Sequence, residues 1–413
     1  MKIFASIIIS LFVLTITSCY NPDYLCFEVS TGTTISLEKH GSADPKIQYS
    51  FDKQNWIPLD CVVVENNCCV YFKGYNPKGF TTFDNWSDGT NFRGSVSFKV
   101  SKPFKCSGNI MTLIDGNGNS KTAIPEYCFY SLFSNCPITD APQLPSATLS
   151  VGCYSKMFEK CTKLTSAPQL PATNLEKECY RSMFSGCSSL TTPPDLPSTT
   201  LAEACYAFMF DNCTSLTTAP KLPATILESG CYFNMFHSCT ALINPPQLPA
   251  STLAAMCYLN MFGDCTSLTT APQLPATALA DGCYSEMFSG CTSLTSAPQL
   301  PATTLADGCY CEMFRGCTSL TTAPQLPATK LAIACYEAMF MDCKNIESVT
   351  VGFSDWGEVY EKEHGFEGNE EVQWGTNNWF FSVAPSGTFI CPKDLPEKRG
   401  HNFIPPEWKI DRL

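Results

Sequence analysis

Apolar side chains in the middle of the chain recur at intervals of about four residues. In one representative segment, Leu279, Cys283 and Met287 follow one another at this spacing, with an aromatic residue directly after Cys283 and after Met287. Apolar positions three or four residues apart mark one face of an amphipathic helix. The pattern therefore predicts a short helix over residues 279–288, and Gly290 after it suits a helix C-terminus.

A shorter apolar stretch follows each predicted helix. Leu294 and Thr295 indicate a strand, and Pro298 and Pro301 come directly after them. Proline cannot donate a hydrogen bond to a sheet ladder, so we predict strands of about two to four residues. Such strands would stack in parallel at about 4.8 Å per unit, with the helices on the opposite, wider side. Residues 346–351 lack these prolines and are predicted to form a full strand.

The same pattern repeats along more than half of the chain. The dipeptide Leu-Pro recurs every 26 residues from Leu144 to Leu326. Nine Cys-x7-Cys units, the first of them one residue shorter, cover about residues 124–351. A fixed period of this size is typical of a solenoid, in which each unit buries its apolar side against its neighbours.

The regions on either side of the repeats have different patterns. Residues 24–115 contain alternating apolar segments, at 24–30, 34–38, 47–51, 62–72, 95–100 and 110–114, separated by turn residues. This alternation predicts the strands of a small β-sandwich. The C-terminal stretch contains Trp356, Trp374, Trp379 and Trp408, which predicts a cap that closes the end of the array.

The repeat consensus Met-Phe-x-x-Cys-x-x-Leu-x-x-Ala-Pro-x-Leu-Pro resembles the repeats of BspA-like leucine-rich repeat surface proteins of bacteria. The present units are longer, carry Met where that family has Ala, and place Pro298 where the family has an uninterrupted strand. The resemblance implies an α/β solenoid, a leucine-rich-repeat-like array of about nine 26-residue units with short helices, and the prolines of this sequence make its parallel strands very short. We expect the β-sandwich at 19–115, the solenoid at 116–351 and the cap at 352–413.

The N-terminus has the features of an export signal. Lys2 precedes an apolar run that ends near Ile16, and small residues then lead to Cys19. The run Ile-Thr-Ser-Cys19 resembles a bacterial lipobox, which implies removal of residues 1–18 and lipidation of the Cys19 thiol. The alternative is an ordinary secretory signal, with Cys19 in a disulfide. No later segment reaches the roughly 20 apolar residues that a membrane-spanning helix needs.

Composition narrows the possible partners. The chain has 413 residues and a net charge of -12, with 26 Lys and Arg against 38 Asp and Glu. Nucleic acid is therefore a poor partner, because its recognition requires a basic surface. Only four His are present, and no phosphate-binding loop, Gly-x-Ser-x-Gly or His-Glu-x-x-His motif occurs. We predict no enzyme activity, no cofactor and no metal site, and we place His237 on the solvated surface.

Cysteine is abundant, with 26 residues. On a continuous helix Cys283 and Cys291 would lie about 12 Å apart, whereas a disulfide needs a Cα separation below about 7 Å. Two alternatives stay open: columns of buried thiols, or disulfides within or between units, which an exported protein favours. The repeat cysteines are Cys128, Cys136, Cys153, Cys161, Cys179, Cys187, Cys205, Cys213, Cys231, Cys239, Cys257, Cys265, Cys283, Cys291, Cys309, Cys317, Cys335 and Cys343.

Two sets of positions are candidates for binding. The units differ mainly at the two positions between Tyr and Met and the two between Phe and Cys, which we expect to be exposed. The strand side instead carries uniform polar rows that suit a repetitive ligand, although Thr is also simply a residue that tolerates exposed strands. These rows are Thr165, Thr191, Thr217, Thr269, Thr295 and Thr321, and Gln169, Gln247, Gln273, Gln299 and Gln325.

These observations predict a non-catalytic binding protein. The resemblance implies an exported lipoprotein, held in the outer membrane or at the surface of a Gram-negative bacterium, that recognises a protein partner in adhesion. One alternative is a glycan-binding accessory lipoprotein for nutrient uptake. Another is a structural spacer.

Overall fold

The computed structural model describes residues 24–83, 92–119, 123–359 and 373–413, so the predicted signal at 1–18 and Cys19 lie outside the described residues. Strands account for nearly all of its regular structure. The first elements are β1 Leu25–Val29, β2 Thr34–Gly41, β3 Ile47–Ser50, β4 Ile57–Pro58, β5 Cys61–Val63, β6 Cys68–Gly74, β7 Thr82–Phe83, β8 Phe92–Val100, β9 Phe104–Ser107 and α1 Thr112–Asp115. The later strands are β10 Ile138–Asp140, β11 Thr322–Leu326, β12 Ser348–Val351, β13 Glu358–Val359, β14 Gln373–Trp374, β15 Thr388–Cys391 and β16 Lys409–Arg412.

The N-terminal strands form two sheets. One has the order β10-β9-β1-β6-β3-β4 and the other β5-β2-β8-β7. Strand residues alternate between the inside and the outside, because successive side chains point to opposite faces. Phe27 of the first sheet contacts Phe98 of the second, with ring centroids 5.0 Å apart, and Phe72 lies 5.4 Å from the same ring. These aromatic contacts hold the two sheets face to face.

Two strand predictions in this region are wrong. Residues 62–72 form two strands, β5 and β6, and they pair with different sheets. Residues 110–114 contribute to the single helical turn α1, which ends at Gly116 with a φ of 75°. All five residues of that segment are buried, so its apolar character reflects burial on every side of the turn and not the two faces of a strand.

The region between the sandwich and the C-terminal strands is a stack of the nine Cys-x7-Cys units, which we number from Cys128 to Cys335. The stack begins on the sandwich, because β10 of the first unit pairs in parallel with β9. In each unit a turn segment, such as residues 150–161 of the second unit, is followed by a bridge segment, such as residues 164–170. Each turn segment contacts the same segment of the next unit.

The turn segments are not helices, and the helix prediction is wrong. Alternate N–H groups bond within the unit and to the next unit: Ser155 donates to Gly152 O at 3.0 Å, and Tyr154 donates to Cys179 O at 3.0 Å. Every fourth residue has a positive φ, as at Gly152 (56°) and Lys156 (57°). A right-handed α-helix requires a φ near −63° at every residue. The backbone therefore forms a ladder of turns whose hydrogen bonds run from unit to unit.

The bridge segments carry the parallel pairing that the sequence predicts, in a shorter form. Most units have single parallel bridges, such as Ser166↔Thr192 and Thr270↔Ser296, instead of strands of several residues. Full strands occur from β11 onwards, and β12 includes most of the predicted strand at 346–351. Pro324 lies within β11, where the register shifts between Thr322 and Gln325. Such an irregularity tolerates the missing donor of a proline.

Two columns of stacked aromatic rings form the centre of the core. Neighbouring rings have centroids 5.5–6.0 Å apart in the first column and 5.6–6.2 Å apart in the second. The first column consists of Phe98, Phe133, Phe158, Phe184, Phe210, Phe236, Phe262, Phe288, Phe314, Phe340 and Phe380. The second consists of Phe129, Tyr154, Tyr180, Tyr206, Tyr232, Tyr258, Tyr284, Tyr310, Tyr336 and Trp379.

The C-terminal region continues the stack instead of only covering it. Tyr336 N–H donates to Gly375 O, which lies 39 residues further along the chain. The equivalent bond one unit earlier runs from Tyr310 N–H to Cys335 O, only 25 residues further along. Strand β15 then pairs in parallel with β12, and β16 pairs in parallel with β15. Residues 375–391 therefore have the hydrogen bonding of a further unit that an insertion separates from the ninth.

Candidate functional site

Differences between units concentrate on one side of the turn segments. The Cys, Tyr, Met and Phe positions are buried in every full unit, and the residues between them vary. The prediction that all four variable positions are exposed is wrong in several units. At the first position Ser155 is only 2% exposed and Ala207 is fully buried, whereas Arg181 is half-buried. The four positions that vary from unit to unit define what we call the variable face.

A cleft of about 460 Å³ lies on the variable face of the first units. Tyr127 donates a hydrogen bond to Glu178 Oε2 at 3.2 Å, and Arg181 Nη1 lies 3.9 Å from Glu178 Oε1. The guanidinium of Arg181 also lies 5.2 Å from the ring centroid of Phe208. Cation–π and carboxylate contacts hold the Arg181 side chain in place while leaving its remaining donors available.

Lys156 extends the same surface towards the sandwich. Its ammonium lies 5.9 Å from the ring centroid of Tyr130, and both side chains line the cleft. The cleft thus combines aromatic rings with charges of both signs. This composition suits recognition of a protein surface, where Tyr, Phe and Arg provide most of the binding energy.

His237 continues the variable face beyond the cleft and lies at the surface, where it is half-buried and paired with two carboxylates. Its Nδ1 lies 2.8 Å from Asp211 Oδ1, its Nε2 lies 3.5 Å from Asp264 Oδ2, and only 26% of its side chain is exposed. The hydrogen bond with Asp211 raises the pKa of His237, and the charge of Asp264 adds to this effect. Gly263 makes room for the ring, because a Cβ there would approach His237 Cδ2 to 3.2 Å.

The predicted Thr and Gln rows lie on the bridge segments and do not line the cleft. The side chains of both rows are exposed, as expected. The Thr hydroxyls are partly engaged, however. Thr191 Oγ1 donates to Thr165 O at 3.2 Å and Thr295 Oγ1 donates to Thr269 O at 3.4 Å. The uniform row therefore contributes to bonding between units, and its capacity for a ligand is smaller than the sequence indicates.

The eighteen repeat cysteines are free thiols, and all are buried. In nine of them the thiol donates to the carbonyl of the Phe in the preceding unit or strand, as between Cys187 and Phe158 O at 3.1 Å. Burial raises the pKa of Cys187 and of Cys205 to about 12. These thiols have the character of core residues, because a reactive cysteine needs access and a lowered pKa.

Two of the other cysteines differ from the repeat cysteines. Cys69 of β6 is disulfide-bonded. Cys311, at the first variable position of its unit, is half-buried, and its pKa is raised to about 12 by burial, with Glu337 and Glu312 adding to the shift.

Within the described residues, no group of three or more His, Cys, Asp or Glu side chains is arranged to hold a metal ion. A search of the same residues finds no helix with the length and apolar character needed to cross a membrane. From the sequence, the cleft residues could be recognised only as positions that vary between units. Their clustering depends on the hydrogen bonds between successive turn segments, such as that from Lys156 N–H to Arg181 O at 2.8 Å, which place Lys156, Arg181 and Phe208 beside one another.

Comparisons with known proteins give little further guidance. No protein-family model matches the chain, and no curated protein matches it. Among solved structures, a leucine-rich repeat protein from Bacteroides ovatus ATCC 8483 is similar at 19% identity. The match covers 67% of this chain and 70% of that chain, with a TM-score of 0.37. A similarity of this size assigns neither a family nor a function.

Proposed function

We propose that this protein is a non-catalytic binding protein and that its variable face recognises a protein partner. The stack is a solenoid of the leucine-rich-repeat type in this proposal, related to BspA-like proteins. The partner is a host protein or matrix component, and the role is adhesion. The protein reaches the cell surface as an exported lipoprotein held by Cys19.

The observation that carries the proposal is the contrast between the two layers of each turn segment. The buried layer is nearly identical from unit to unit, so it specifies the stack. The layer above it changes at every unit and places Arg181, Phe208 and Tyr130 around one cleft. Side chains that are free to vary over a constant scaffold are typical of repeat proteins that bind other macromolecules.

Binding to immobilised matrix proteins tests the proposal. The full chain is applied to fibronectin, laminin and collagen, beside a double variant Arg181→Ala/Phe208→Ala. We expect the double variant to lose about ten-fold or more in affinity, since such residues act as binding hot spots. The matched control is Thr295→Ala/Gln299→Ala, which alters two exposed residues of the bridge segments. Failure to bind any of the three proteins, or equal binding by the double variant, would contradict the proposal.

The alternatives give different outcomes in the same assay. A glycan-binding accessory protein that uses the uniform rows would lose binding in the Thr295→Ala/Gln299→Ala variant and keep it in the other. A spacer would bind nothing, and removal of two units in frame would leave its role intact. Lipidation is tested separately by mass spectrometry of the mature N-terminus and by membrane fractionation of Cys19→Ala.

A further inference from the structure

The N-terminal sandwich carries aromatic rings on the outer side of one of its sheets. Along β6, Val70 and Phe72 are buried inside the sandwich, while Tyr71 and Lys73 point outwards and are half-buried. The rings of Tyr24 and Trp56 contact each other there, with centroids 5.1 Å apart and a tilt of 53°. The ammonium of Lys73 lies 4.2 Å from the centroid of the Trp56 ring. Half-buried aromatic rings beside cations form a platform that is ready to pack against a ligand.

A cleft of about 560 Å³ adjoins this platform, and Lys73 belongs to both. Lys39, Lys46, Asp44 and Asp115 also line it. Its volume lies within the range of small-molecule sites, which is about 300–1,000 Å³. Lys73 joins the cleft to the platform, because it lines the cleft while its ammonium lies over the Trp56 ring, so the two form one site on the sandwich.

The cleft is held in a fixed shape. The side chain of Asn76 accepts a hydrogen bond from Lys46 N at 2.8 Å and donates to Lys46 O at 3.1 Å and to Leu113 O at 2.7 Å. Gly74 allows this close approach, because a Cβ there would lie 2.6 Å from Leu113 O and from Lys46 O. A preformed site loses less entropy when it binds a ligand.

The charges of the cleft favour an anion. Three ammonium groups line it against two carboxylates, which leaves an excess of one positive charge. Asp44 forms ion pairs with Lys46 and, at 3.9 Å, with Lys39. The carboxylate of Asp115 already accepts the N–H groups of Asn117, Gly118 and Asn119 at 2.7–2.9 Å. Excess positive charge in this cleft contrasts with the net charge of -12 of the whole chain. Local charge of one sign in a concave site concentrates ligands of the opposite sign.

We propose that this site binds an acidic oligosaccharide. The apolar face of a sugar ring packs on Trp56 and Tyr24, and the carboxylate or sulfate of a neighbouring sugar binds Lys46 and Lys73. Tyr75 is 71% exposed at the rim of the cleft and adds a further ring. The site shares no residue with the cleft on the variable face. It is therefore independent of the function proposed above.

The test measures binding of the full chain by calorimetry. The acidic probes are oligosaccharides of hyaluronan, chondroitin sulfate and polygalacturonate, the neutral probes are those of chitin and mannan, and vesicles of phosphatidylglycerol complete the set. We expect at least one acidic oligosaccharide to bind, with affinity that falls as salt is added. Trp56→Ala and Lys46→Gln/Lys73→Gln should each weaken binding about ten-fold or more. Trp56→Phe, which keeps a ring, should retain most of it.

The Arg181→Ala/Phe208→Ala variant serves as the control and should bind the sugar normally, so failure of one proposal is distinguishable from failure of the other. If Trp56→Ala does not fold, Tyr75→Ala replaces it, because this exposed ring contributes to the site without supporting the core. Three results would overturn the inference: binding of vesicles but no oligosaccharide, equal binding of neutral and acidic sugars, or no acidic sugar bound.

Discussion

The thiol of Cys213 donates a hydrogen bond to the main-chain carbonyl of Phe184, 3.2 Å away in the preceding unit. The same carbonyl accepts the N–H of Cys187 from its own unit at 3.0 Å. Both lone pairs of this oxygen are thereby used, one within the unit and one between units. The second cysteine of each unit is thus a connection between neighbours as well as a core residue.

Removing this connection should destabilise the stack. Cys213→Ala loses a buried hydrogen bond and leaves a small cavity, so we expect a loss of about 1–3 kcal/mol in the free energy of unfolding. The midpoint of urea unfolding measures the change. Cys311→Ala is the control, because this half-buried residue is not one of the eighteen repeat cysteines. Equal midpoints for the two variants would show that the bond between units contributes nothing.

The repeat thiols should be protected in the folded protein and available after unfolding. At about pH 8 a thiol reagent should react first with exposed Cys61 and slowly with half-buried Cys68 and Cys311. Unfolding without a reductant should then expose at least the eighteen repeat thiols. An unfolded, unreduced protein with few reactive thiols would show instead that disulfides join these residues.

Loss of the hydroxyl should change the stability of the protein in opposite directions at two tyrosines near the start of the stack. Tyr154 Oη is buried without a hydrogen-bond partner, so Tyr154→Phe should be neutral or stabilising by up to about 1 kcal/mol. Tyr127→Phe should cost about 1 kcal/mol, because Tyr127 donates to the Glu178 carboxylate. Thermal unfolding of the two variants gives the comparison, and destabilisation by Tyr154→Phe would disprove the expectation.

Stability should depend on pH through His237. Its hydrogen bond with Asp211 raises its pKa in the folded state above the ordinary value of 6.5. The stabilisation is therefore complete below that value and is lost as the pH rises through the folded-state pKa. The stability difference between the natural protein and His237→Gln should be largest near about pH 5 and smallest near about pH 9. Urea unfolding across this interval checks the sign, and a difference that grows with pH would contradict it.

The sequence was sufficient to predict the repeat period, the parallel pairing and the buried positions, because each of these depends only on which residues are apolar. The prediction of a helix in each unit is wrong because a helix and the turn ladder have nearly the same residue spacing. Positions such as Cys283, Met287 and Cys291 repeat at four residues, close to the 3.6 of a helix, and the turn ladder uses a spacing of four. A hydrophobic pattern alone does not separate the two over so short a segment.

A second signal in the sequence distinguishes them. The third positive-φ position of the turn segment holds Gly, Asn or Asp in seven of the nine units, and Lys160 and Ser238 occupy it in the other two. The seven residues are Asn135, Gly186, Asn212, Asp264, Gly290, Gly316 and Asp342. Gly, Asn and Asp are the residues that most readily adopt a positive φ. The prediction of a helix end at Gly290 is wrong, because Gly290 is one of three positive-φ positions in its segment, with Gly282 and Glu286.

The continuation of the stack past the ninth unit could not be predicted from the sequence for a different reason. Trp379 and Phe380 follow the Met-Phe order of the repeat, and Asn378 and Ser382 have its positive φ values. The insertion before them changes the spacing from the regular period, so a search at a fixed interval does not find them. The cleft could not be predicted either, because its residues come from three units and their meeting depends on how the turns align.

The hydrogen bonds that join the turn segments run along the length of the stack. Tension between the sandwich and β16 would therefore load all of the interfaces in series, and the weakest would yield first. Each 26-residue unit that detaches releases roughly 90 Å of extended chain. A stack built in this way lengthens stepwise under tension and dissipates mechanical work as each interface opens.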